Sequence, residues 1–407
     1  MTVRPNPRLE RLPSHTWDQL RALLAPLTPG RNDPLDLTIG EPRHPMPALI
    51  GDALRANEAL YAKYPPIQGT EEWQQAVAGW LGRRYALNDI DPTRHILPVA
   101  GTREGLFNAA FIAVPEEKNG KRPLVAMPNP FYQCYAAAAL SAGAEPVYVP
   151  ATAETGFLPD FASLSEDVLG RTALVYLCSP ANPQGTVADQ AYFETLIALC
   201  RHHDIVLMVD ECYAEIYVDA PPVGVLQACR VMVEAGQGNA DDPYQNVLAF
   251  HSLSKRSNAP GLRSGFVAGD PALIAAYRRL RSYGGCPSPL PVYAAAAAAW
   301  NDDAHVDENR LLYRQKFDAA EHILGGRFNV YRPGGGFYLW LDVGDGEAAA
   351  SRLWSEAGVR VLPGAYLART QQDGYNPGAA YIRVALVDPL AVTETALQRL
   401  VDILDGA

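Results

Sequence analysis

Short apolar runs alternate with helix-like stretches through most of this 407-residue chain. The runs are mostly continuous and rich in Val, Leu and Ala, which is typical of strands buried on both faces of a sheet. The predicted strands are Leu124–Met127, Val147–Val149, Ala173–Leu177, Val206–Asp210, Val247–His251 and Gly265–Ala268. Helical patterns such as Pro130–Ala142 and Asp189–His203 separate several of them. This alternation predicts an α/β fold with a mostly parallel sheet wrapped by helices.

The pattern changes near Pro289 and predicts a smaller α+β unit after it. Its predicted elements are a long helical region, a strand, a helix and a second strand, at Tyr293–Leu324, Phe337–Val343, Glu347–Glu356 and Tyr381–Leu386. We therefore divide the chain into an N-terminal segment (1–40), a large domain (41–288) and a small C-terminal domain (289–407). The N-terminal segment has no predicted strand partner of its own. We expect it to pack with the small domain or across a subunit boundary.

Composition excludes several classes of protein. The formal charge is −11, from 34 Lys+Arg and 45 Asp+Glu, which argues against a nucleic-acid partner. The longest apolar run, Ala294–Ala299, is far shorter than the ~20 residues that cross a bilayer, and the N-terminus lacks a signal-peptide core. We therefore expect a cytoplasmic protein without membrane contact. The six cysteines form no C-x-x-C pair, so no metal site is predicted.

Lysine is rare, which draws attention to the setting of each one. Of the five lysines, Lys255 follows a predicted strand in the string His251–Arg256, and Arg263 lies eight residues further on among glycines. A desolvated lysine amine can form a Schiff base, while serine and arginine, here Ser252 and Arg263, are natural phosphate ligands. A lone Ser-x-x-Lys would more simply be a surface loop, but the extended string is more specific.

The strand before it ends in Asp210, followed by Tyr213. A carboxylate at the end of a buried strand is costly to desolvate unless a cation pairs with it. The protonated nitrogen of a pyridine ring is such a cation, and Tyr213 could donate a hydrogen bond to the phenolic oxygen of the same ring. The alternative is that Asp210 caps the next helix.

Other strand ends carry weaker candidates. Asn182 lies in the rigid turn Ser179–Gly185, from which its amide could contact a cofactor oxygen and a substrate carboxylate. The stretch Gly101–Arg103 opens a helix whose N–H groups could bind phosphate. Tyr132 could lie flat on a planar cofactor. An ordinary turn, a plain helix cap and simple packing are the respective alternatives.

Two candidates lie outside this sheet. Arg383 occupies the short strand Tyr381–Ala385, and Gly40 lies in the tight turn Ile39–Pro42. A buried arginine needs an anion, which a substrate α-carboxylate would provide by a bidentate pair. A structural salt bridge is the alternative for Arg383.

In this order and spacing, from Ile39 to Arg383, the motifs resemble those of class I/II aminotransferases of the aspartate aminotransferase fold. That resemblance implies the type I fold of pyridoxal-phosphate enzymes, with a large domain on a mostly parallel mixed sheet, a smaller α+β domain, and homodimers that share their active sites. Catalytic roles are implied for Lys255, Asp210 and Tyr213, with Lys255 forming the internal aldimine and moving the substrate proton. Further cofactor contacts are implied for Gly101, Thr102, Arg103, Tyr132, Asn182, Ser252 and Arg263, and for Tyr64 across the subunit boundary. Substrate contacts are implied for Gly40, Asn182 and Arg383, and no metal is implied.

Three strings, Ser252–Phe266, Asn6–Leu12 and Pro333–Trp340, further resemble succinyldiaminopimelate transaminases. Those enzymes of bacterial lysine and diaminopimelate biosynthesis transfer an amino group between glutamate and N-succinyl-2-amino-6-oxopimelate by a ping-pong mechanism. Candidates for the distal carboxylate are, by composition alone, Arg31, Arg43, Arg256 and Arg281.

Three alternatives stay open. The first is an aminotransferase of the same fold acting on aspartate, aromatic amino acids or alanine. The second is a β-lyase or decarboxylase with the same cofactor, and the third is the effector-binding domain of a transcription regulator. The acidic composition and the early start of the fold disfavour the third.

Overall fold

The computed structural model describes Asn6, residues 9–12 and residues 14–405. Pro7 and Arg8 of the N-terminal string, and other parts of segment 1–40, lie outside the described residues. The strands are β1 (Leu35–Asp36), β2 (Ile96–Val99), β3 (Leu124–Asn129), β4 (Glu145–Pro150), β5 (Thr172–Cys178), β6 (Val206–Asp210), β7 (Val247–Ser252), β8 (Gly265–Gly269), β9 (Tyr338–Asp342), β10 (Val359–Arg360), β11 (Leu362–Pro363) and β12 (Tyr381–Ala385).

The α-helices of the described residues separate most of these strands. They are α1 (Thr16–Leu24), α2 (Ala48–Ala56), α3 (Glu71–Tyr85), α4 (Thr102–Ala113), α5 (Cys134–Ser141), α6 (Glu166–Arg171), α7 (Gln190–His202), α8 (Val225–Glu234), α9 (Leu253–Arg256), α10 (Pro271–Gly284), α11 (Leu290–Asn301), α12 (Ala304–Leu324), α13 (Gly346–Ala357) and α14 (Leu390–Leu404). No helix among the described residues has the length and apolar character needed to span a membrane.

A seven-stranded sheet forms the centre of the large unit, with strand order β2-β8-β7-β6-β5-β3-β4. Strands β3 to β7 run parallel, and β8 runs antiparallel to both of its neighbours. Apolar side chains cover both faces: Val175 and Leu177 of β5 enter one core, while Leu174 and Tyr176 enter the other. Burial on both faces explains why these strands read as continuous apolar runs. The predicted α/β class with a mostly parallel mixed sheet is confirmed.

Strand β2 is absent from the predicted set, since Pro98 lies in its middle. It pairs only with β8, at the edge of the sheet. An edge strand tolerates proline because one row of its backbone groups needs no partner in the sheet.

The predicted helical region Tyr293–Leu324 is two helices. Asp302 interrupts it with an extended backbone, and its carboxylate accepts the backbone N–H of His305 at 3.1 Å. Aspartate competes in this way for the amides that a continuous helix would use. The packing separates the two helices as well, because Tyr293 and Trp300 of α11 contact Trp73 and Trp80 of α3.

Helix α11 therefore packs with the large sheet, although the predicted boundary at 288 assigns it to the small domain. Helix α12 buries Phe317 and Leu324 in the core of the C-terminal unit, beside Leu397 of α14. We propose that the boundary between the two units falls between α11 and α12.

The C-terminal unit contains the antiparallel sheet β11-β12-β9, with Arg383 opposite Trp340. The N-terminal segment lies against this unit. Its β1 pairs in parallel with β10, so it does have a strand partner, and Leu20 and Leu24 of α1 pack beside Trp354. The sequence missed β1 because two residues carry no periodicity.

Candidate active site

The carboxyl ends of the parallel strands open onto one cavity of about 1650 Å³. This is the edge at which open α/β sheets bind ligands. The C-terminal unit and α1 close its far side with residues such as Arg383, Tyr338 and Leu20. Ten of the predicted site residues line it: Gly40, Thr102, Arg103, Tyr132, Asn182, Asp210, Tyr213, Lys255, Arg263 and Arg383.

Lys255 lies in α9, the single helical turn that follows β7. Its Nζ donates a hydrogen bond to the carbonyl oxygen of Gly40 at 2.5 Å. Loss of hydration lowers the pKa of this amine to about 8, and the positive charge of Arg383 acts in the same direction. A lysine with a lowered pKa has a larger fraction of free amine near neutral pH, as a nucleophile or general base requires.

Asp210 ends β6 and is 3% exposed. The Tyr135 hydroxyl donates to its Oδ2 at 3.3 Å, and the Cys212 backbone N–H donates to its Oδ1 at the same distance. Burial raises the pKa of this carboxyl to about 6. Among the described residues it forms no ion pair, so the site has a buried carboxylate that still lacks a cation. Asp210 is not the cap of a helix, since a non-helical turn follows it.

The start of α4 and the loop before β8 form a cradle with the geometry of an anion site. Gly101 has φ +82°, and a Cβ there would lie 2.3 Å from Nη2 of Arg263. The Arg263 guanidinium donates to the carbonyl oxygens of Ala100 at 2.8 Å and Pro260 at 2.9 Å. Arg263 has no acid partner among the residues that the structure describes, and such an arginine together with the first-turn N–H groups of a helix favours a phosphate.

Ser252 lies just behind the cavity wall rather than in it. It is buried, and its Oγ accepts the backbone N–H of Ser254 at 3.0 Å and donates to Oγ of Ser254 at 2.8 Å. Ser254 itself lines the cavity, as does Thr102 beyond Gly101.

Arg383 crosses from β12 toward the large sheet. Its Nη1 donates to Oδ1 of Asn182 at 2.9 Å, and its Nη2 donates to the carbonyl oxygen of Thr38 at 2.7 Å. The guanidinium lies 4.3 Å from the ring centre of Tyr338, and its Nε is buried without a partner. Within the part of the chain that the structure describes, no carboxylate pairs with Arg383, so the alternative of a structural salt bridge is not observed.

Of the remaining candidates, Tyr132, Arg103 and Tyr213 line the cavity and Tyr64 does not. Tyr132 accepts a hydrogen bond from Nε of Arg103, and Tyr213 shares a 3.2 Å hydroxyl contact with Tyr338. Tyr64 lies outside the cavity, and its side chain is fully exposed in the single chain.

Of the four arginines considered for a distal carboxylate, none lines the cavity. Arg43, Arg256 and Arg281 pair with Asp388, Asp303 and Glu104, and Arg31 is exposed. Composition alone does not distinguish an arginine that binds a substrate carboxylate from one that pairs with a neighbouring acid.

Sequence reasoning assigned no role to three residues that shape the site. They are Tyr338, which covers Arg383, Tyr135, which binds Asp210, and Thr38, whose carbonyl accepts from Arg383. Tyr338 and Tyr135 are aromatic residues in ordinary apolar surroundings, so no local signal marks them.

Known proteins match this chain along nearly its whole length. The sequence profile of the family "Aminotransferase class I and II" matches residues 32–400. The chain belongs to the class I and II aminotransferases.

Individual relatives agree with that assignment. The 4-dedimethylamino-4-oxo-anhydrotetracycline transaminase OxyQ of Streptomyces rimosus is 33% identical over 380 residues, covering 93% of this chain and 96% of that protein. An LL-diaminopimelate aminotransferase of Dehalococcoides mccartyi is 30% identical, covering 97% of each chain. A solved aminotransferase structure from Neisseria meningitidis superposes with a TM-score of 0.92 at 40% identity, covering 98% of this chain and 100% of that one.

The aminotransferases of this family use pyridoxal phosphate, and the cavity of this aminotransferase fits that cofactor. The protonated ring nitrogen of the cofactor is the cation that the buried Asp210 carboxylate lacks. The cradle at Gly101 and Arg263 suits the phosphate, because glycine at position 101 lets the Arg263 guanidinium lie against the start of α4, where a Cβ would collide with it.

Proposed function

We propose that this aminotransferase is N-succinyl-LL-2,6-diaminopimelate:2-oxoglutarate aminotransferase of bacterial lysine and diaminopimelate biosynthesis. Its two amino donors both have an α-carboxylate beside the reacting amine and a second carboxylate further along the chain. One observation carries the proposal: the buried Arg383, without an acid partner among the described residues, opens on a cavity of about 1650 Å³ that continues to α1. That space accommodates a substrate longer than glutamate.

The charges along this extension support an anionic distal group. Arg21, Arg103 and Arg360 line it. Arg21 pairs with Asp18 and Arg360 with Asp36, whereas Arg103 donates to the Tyr132 hydroxyl and pairs with no acid in the part of the chain that the structure describes. Succinylation replaces the distal ammonium by a neutral amide and adds a carboxylate, so a guanidinium that pairs with no acid among the described residues favours the succinylated substrate.

The chemistry divides between the cofactor and the chain. When bound, pyridoxal phosphate supplies an aldehyde carbon for the amine and a ring that accepts electrons from the substrate Cα. The Lys255 amine moves the proton at Cα, for which a pKa of about 8 suits it. The Asp210 carboxylate holds the proton on the ring nitrogen. Arg383, oriented by Asn182, binds the α-carboxylate and so presents Cα to Lys255.

Other residues hold the cofactor in place. Gly101, Thr102 and Arg263 bind the phosphate, with Ser252 acting through Ser254. Tyr213 and Asn182 bind the phenolic oxygen, Tyr132 covers the ring face, and Arg103 holds Tyr132 by its hydroxyl. Gly40, at the cavity wall, leaves room for Tyr338, on which the substrate-binding Arg383 lies.

We also propose a cytoplasmic homodimer with shared active sites. The fully exposed Tyr64, outside its own cavity, is available to the phosphate site of a neighbouring subunit. All six cysteines are free, as in proteins of a reducing compartment. Sedimentation of the holoenzyme tests the dimer, and monomers with full activity would contradict it.

A second candidate is an LL-diaminopimelate aminotransferase. Relatives of that name are 29–30% identical and cover 97% of this chain. Both substrates keep a carboxylate at the distal end, but there one carries a free ammonium group and the other a neutral succinyl amide with an additional carboxylate.

The visible absorption spectrum of the holoenzyme distinguishes these functions. Glutamate, N-succinyl-LL-diaminopimelate and LL-diaminopimelate are added separately, and loss of the cofactor band reports each half-reaction. We expect the first two to bleach the band at concentrations at which the third does not. Bleaching by unmodified LL-diaminopimelate but not by the succinylated compound would favour the second candidate.

A further inference from the structure

A buried chain of polar side chains connects α12 with the backbone of Lys255. Lys316 is 2% exposed, and its Nζ lies 2.7 Å from Nε2 of His44 and 3.1 Å from the carbonyl oxygen of Leu386. Nδ1 of His44 lies 2.8 Å from Oδ1 of Asn309. Nδ2 of Asn309 donates to the carbonyl oxygen of Lys255 at 3.4 Å.

While Lys316 is charged, the hydrogen bonds of this series can run in only one direction, from Lys316 as donor to the Lys255 carbonyl as acceptor. An ammonium group donates and never accepts, so Nε2 of His44 must accept and carries no proton. The neutral ring of His44 then has its proton on Nδ1 and donates it to Oδ1 of Asn309. The amide nitrogen of Asn309 is left to donate to the Lys255 carbonyl, as observed.

The charge states agree with this direction. Burial lowers the pKa of the Lys316 amine to about 8, which leaves most of it protonated at pH 7, and Asp388 acts in the opposite sense to burial. Burial also lowers the pKa of His44 below its ordinary value, and the charge of Lys316 acts in the same direction, which favours the neutral ring at pH 7. The ring of Tyr313 packs on His44 at 4.6 Å and lies 4.9 Å from Nζ of Lys316.

This series of hydrogen bonds joins two segments of the polypeptide that meet at Lys255. Asn258, three residues after Lys255, also donates to Oδ1 of Asn309, at 3.0 Å. His44 belongs to the segment that begins with Gly40, whose carbonyl oxygen accepts from Nζ of Lys255. The carbonyl of Lys255 is therefore bound by Asn309, and its amine is bound by the segment of His44. The hydrogen bond between His44 and Asn309 connects the two.

We propose that Lys316 and His44 are positioning residues for Lys255. The ammonium group of Lys316 selects the Nδ1–H tautomer of His44, and through Asn309 this tautomer fixes α9, which carries Lys255, against the Gly40–Pro45 segment. This inference applies to any amino donor and does not rest on the proposed substrate.

Nitrogen-15 NMR of the histidine-labelled holoenzyme tests the tautomer directly. The two ring signals of His44 are assigned by their loss in His44→Phe. At pH 7 we expect the neutral Nδ1–H form, and in Lys316→Met a shift toward the Nε2–H form because the donor to Nε2 is gone. An Nε2–H or doubly protonated ring in the unmodified enzyme, or unchanged signals in Lys316→Met, would overturn the proposal.

Kinetics separate positioning from simple stability. In Lys316→Met we expect kcat to fall about tenfold, with KM changed by less than about twofold, because misplacement of a reacting group acts on the chemical step. Lys118→Met is the matched control. Its Nζ donates to the carbonyl oxygens of Thr172, His203 and Asp204, away from the cavity, so kcat should not change.

A second pair of variants tests the proposal even if Lys316→Met does not fold. His44→Gln keeps one acceptor and one donor, whereas His44→Phe keeps only the ring contact with Tyr313. We expect the glutamine variant to retain several-fold more kcat at similar thermal stability. Equal kcat in the two His44 variants, or equal losses in Lys118→Met and Lys316→Met, would leave only a structural role and refute the proposal.

Discussion

The carbonyl oxygen of Gly40 lies 2.5 Å from Nζ of Lys255, although 215 residues separate the two along the chain. This contact joins the N-terminal segment to α9. The absence of a side chain at position 40 makes room for Tyr338 beside the contact. A Cβ at this position would lie 1.6 Å from the hydroxyl oxygen of Tyr338, which itself contacts Tyr213 and Arg383.

Gly40→Ala should therefore damage activity more than stability. The added methyl must displace Tyr338, and with it the surface on which Arg383 lies, so we expect kcat/KM to fall by about 10- to 100-fold. Overpacking should cost about 1–3 kcal/mol of unfolding free energy. Steady-state kinetics and thermal unfolding measure the two effects. Gly79→Ala, on the exposed face of α3, is the control, and equal kinetics in both variants would contradict the steric argument.

Arg383→Lys tests the carboxylate site. Lysine keeps the positive charge but loses the planar fork that now binds Asn182 and Thr38 together. We expect KM for every amino-acid substrate to rise in parallel by about tenfold or more, equivalent to at least ~1.4 kcal/mol. An increase confined to one substrate would instead assign Arg383 to the distal end of that substrate.

Asp210→Asn should change the pH dependence of apoenzyme stability. The folded pKa of about 6 lies above the ordinary 3.8, so between these values the folded protein binds a proton that the unfolded chain has lost. The unmodified apoenzyme therefore loses stability as pH rises through this window, by on the order of 3 kcal/mol when complete. The variant cannot titrate there.

Thermal unfolding of both apoproteins from pH 4 to 8 provides the measurement. The stability of Asp210→Asn relative to the unmodified protein should increase up to about pH 6 to 7 and then level off. With pyridoxal phosphate bound the order should reverse, because the ring nitrogen supplies the missing cation. A difference that does not vary with pH would show that the Asp210 carboxyl is not desolvated.

Gly101→Ala should weaken cofactor binding through Arg263. Both the positive φ of +82° and the 2.3 Å approach to Nη2 of Arg263 oppose a side chain here. Gly236→Ala carries a similar backbone cost, at φ +73°, but meets nothing within 4 Å. Titration of the two apoproteins with pyridoxal phosphate should give a Kd raised about tenfold or more for position 101 alone. Equal Kd values would mean that Arg263 does not bind the phosphate.

The strands are predictable because their signal is local. Val206–Asp210 is predicted with the bounds that the structure has, since a strand buried on both faces must be apolar throughout. Strand β2 is not predicted, because Pro98 conceals an edge strand. The sequence also does not show that α11 packs in the core of the large sheet, because helical periodicity does not say which core a helix enters.

The candidate site divides in the same way. Asp210 ends a recognisable strand, and Asn182 and Lys255 each follow one, so their residue types and positions are enough to indicate the chemistry. Tyr338 and Tyr135 carry no such signal, because an aromatic residue that covers a guanidinium looks in sequence like one that fills a core.

The amino-acid sequence by itself determined the fold class, the family and the chemical groups available at the strand ends. Strands and strand-end groups depend on residues close together in the chain, and the family on the order and spacing of such local motifs. Only the tertiary structure decided which distant groups meet, as Arg383 meets Asn182 across 201 residues. It also decided the pKa of Lys255, lowered to about 8, and that of Asp210, raised to about 6. Burial produces both shifts, and burial depends on how the two units and the N-terminal segment close around the cavity.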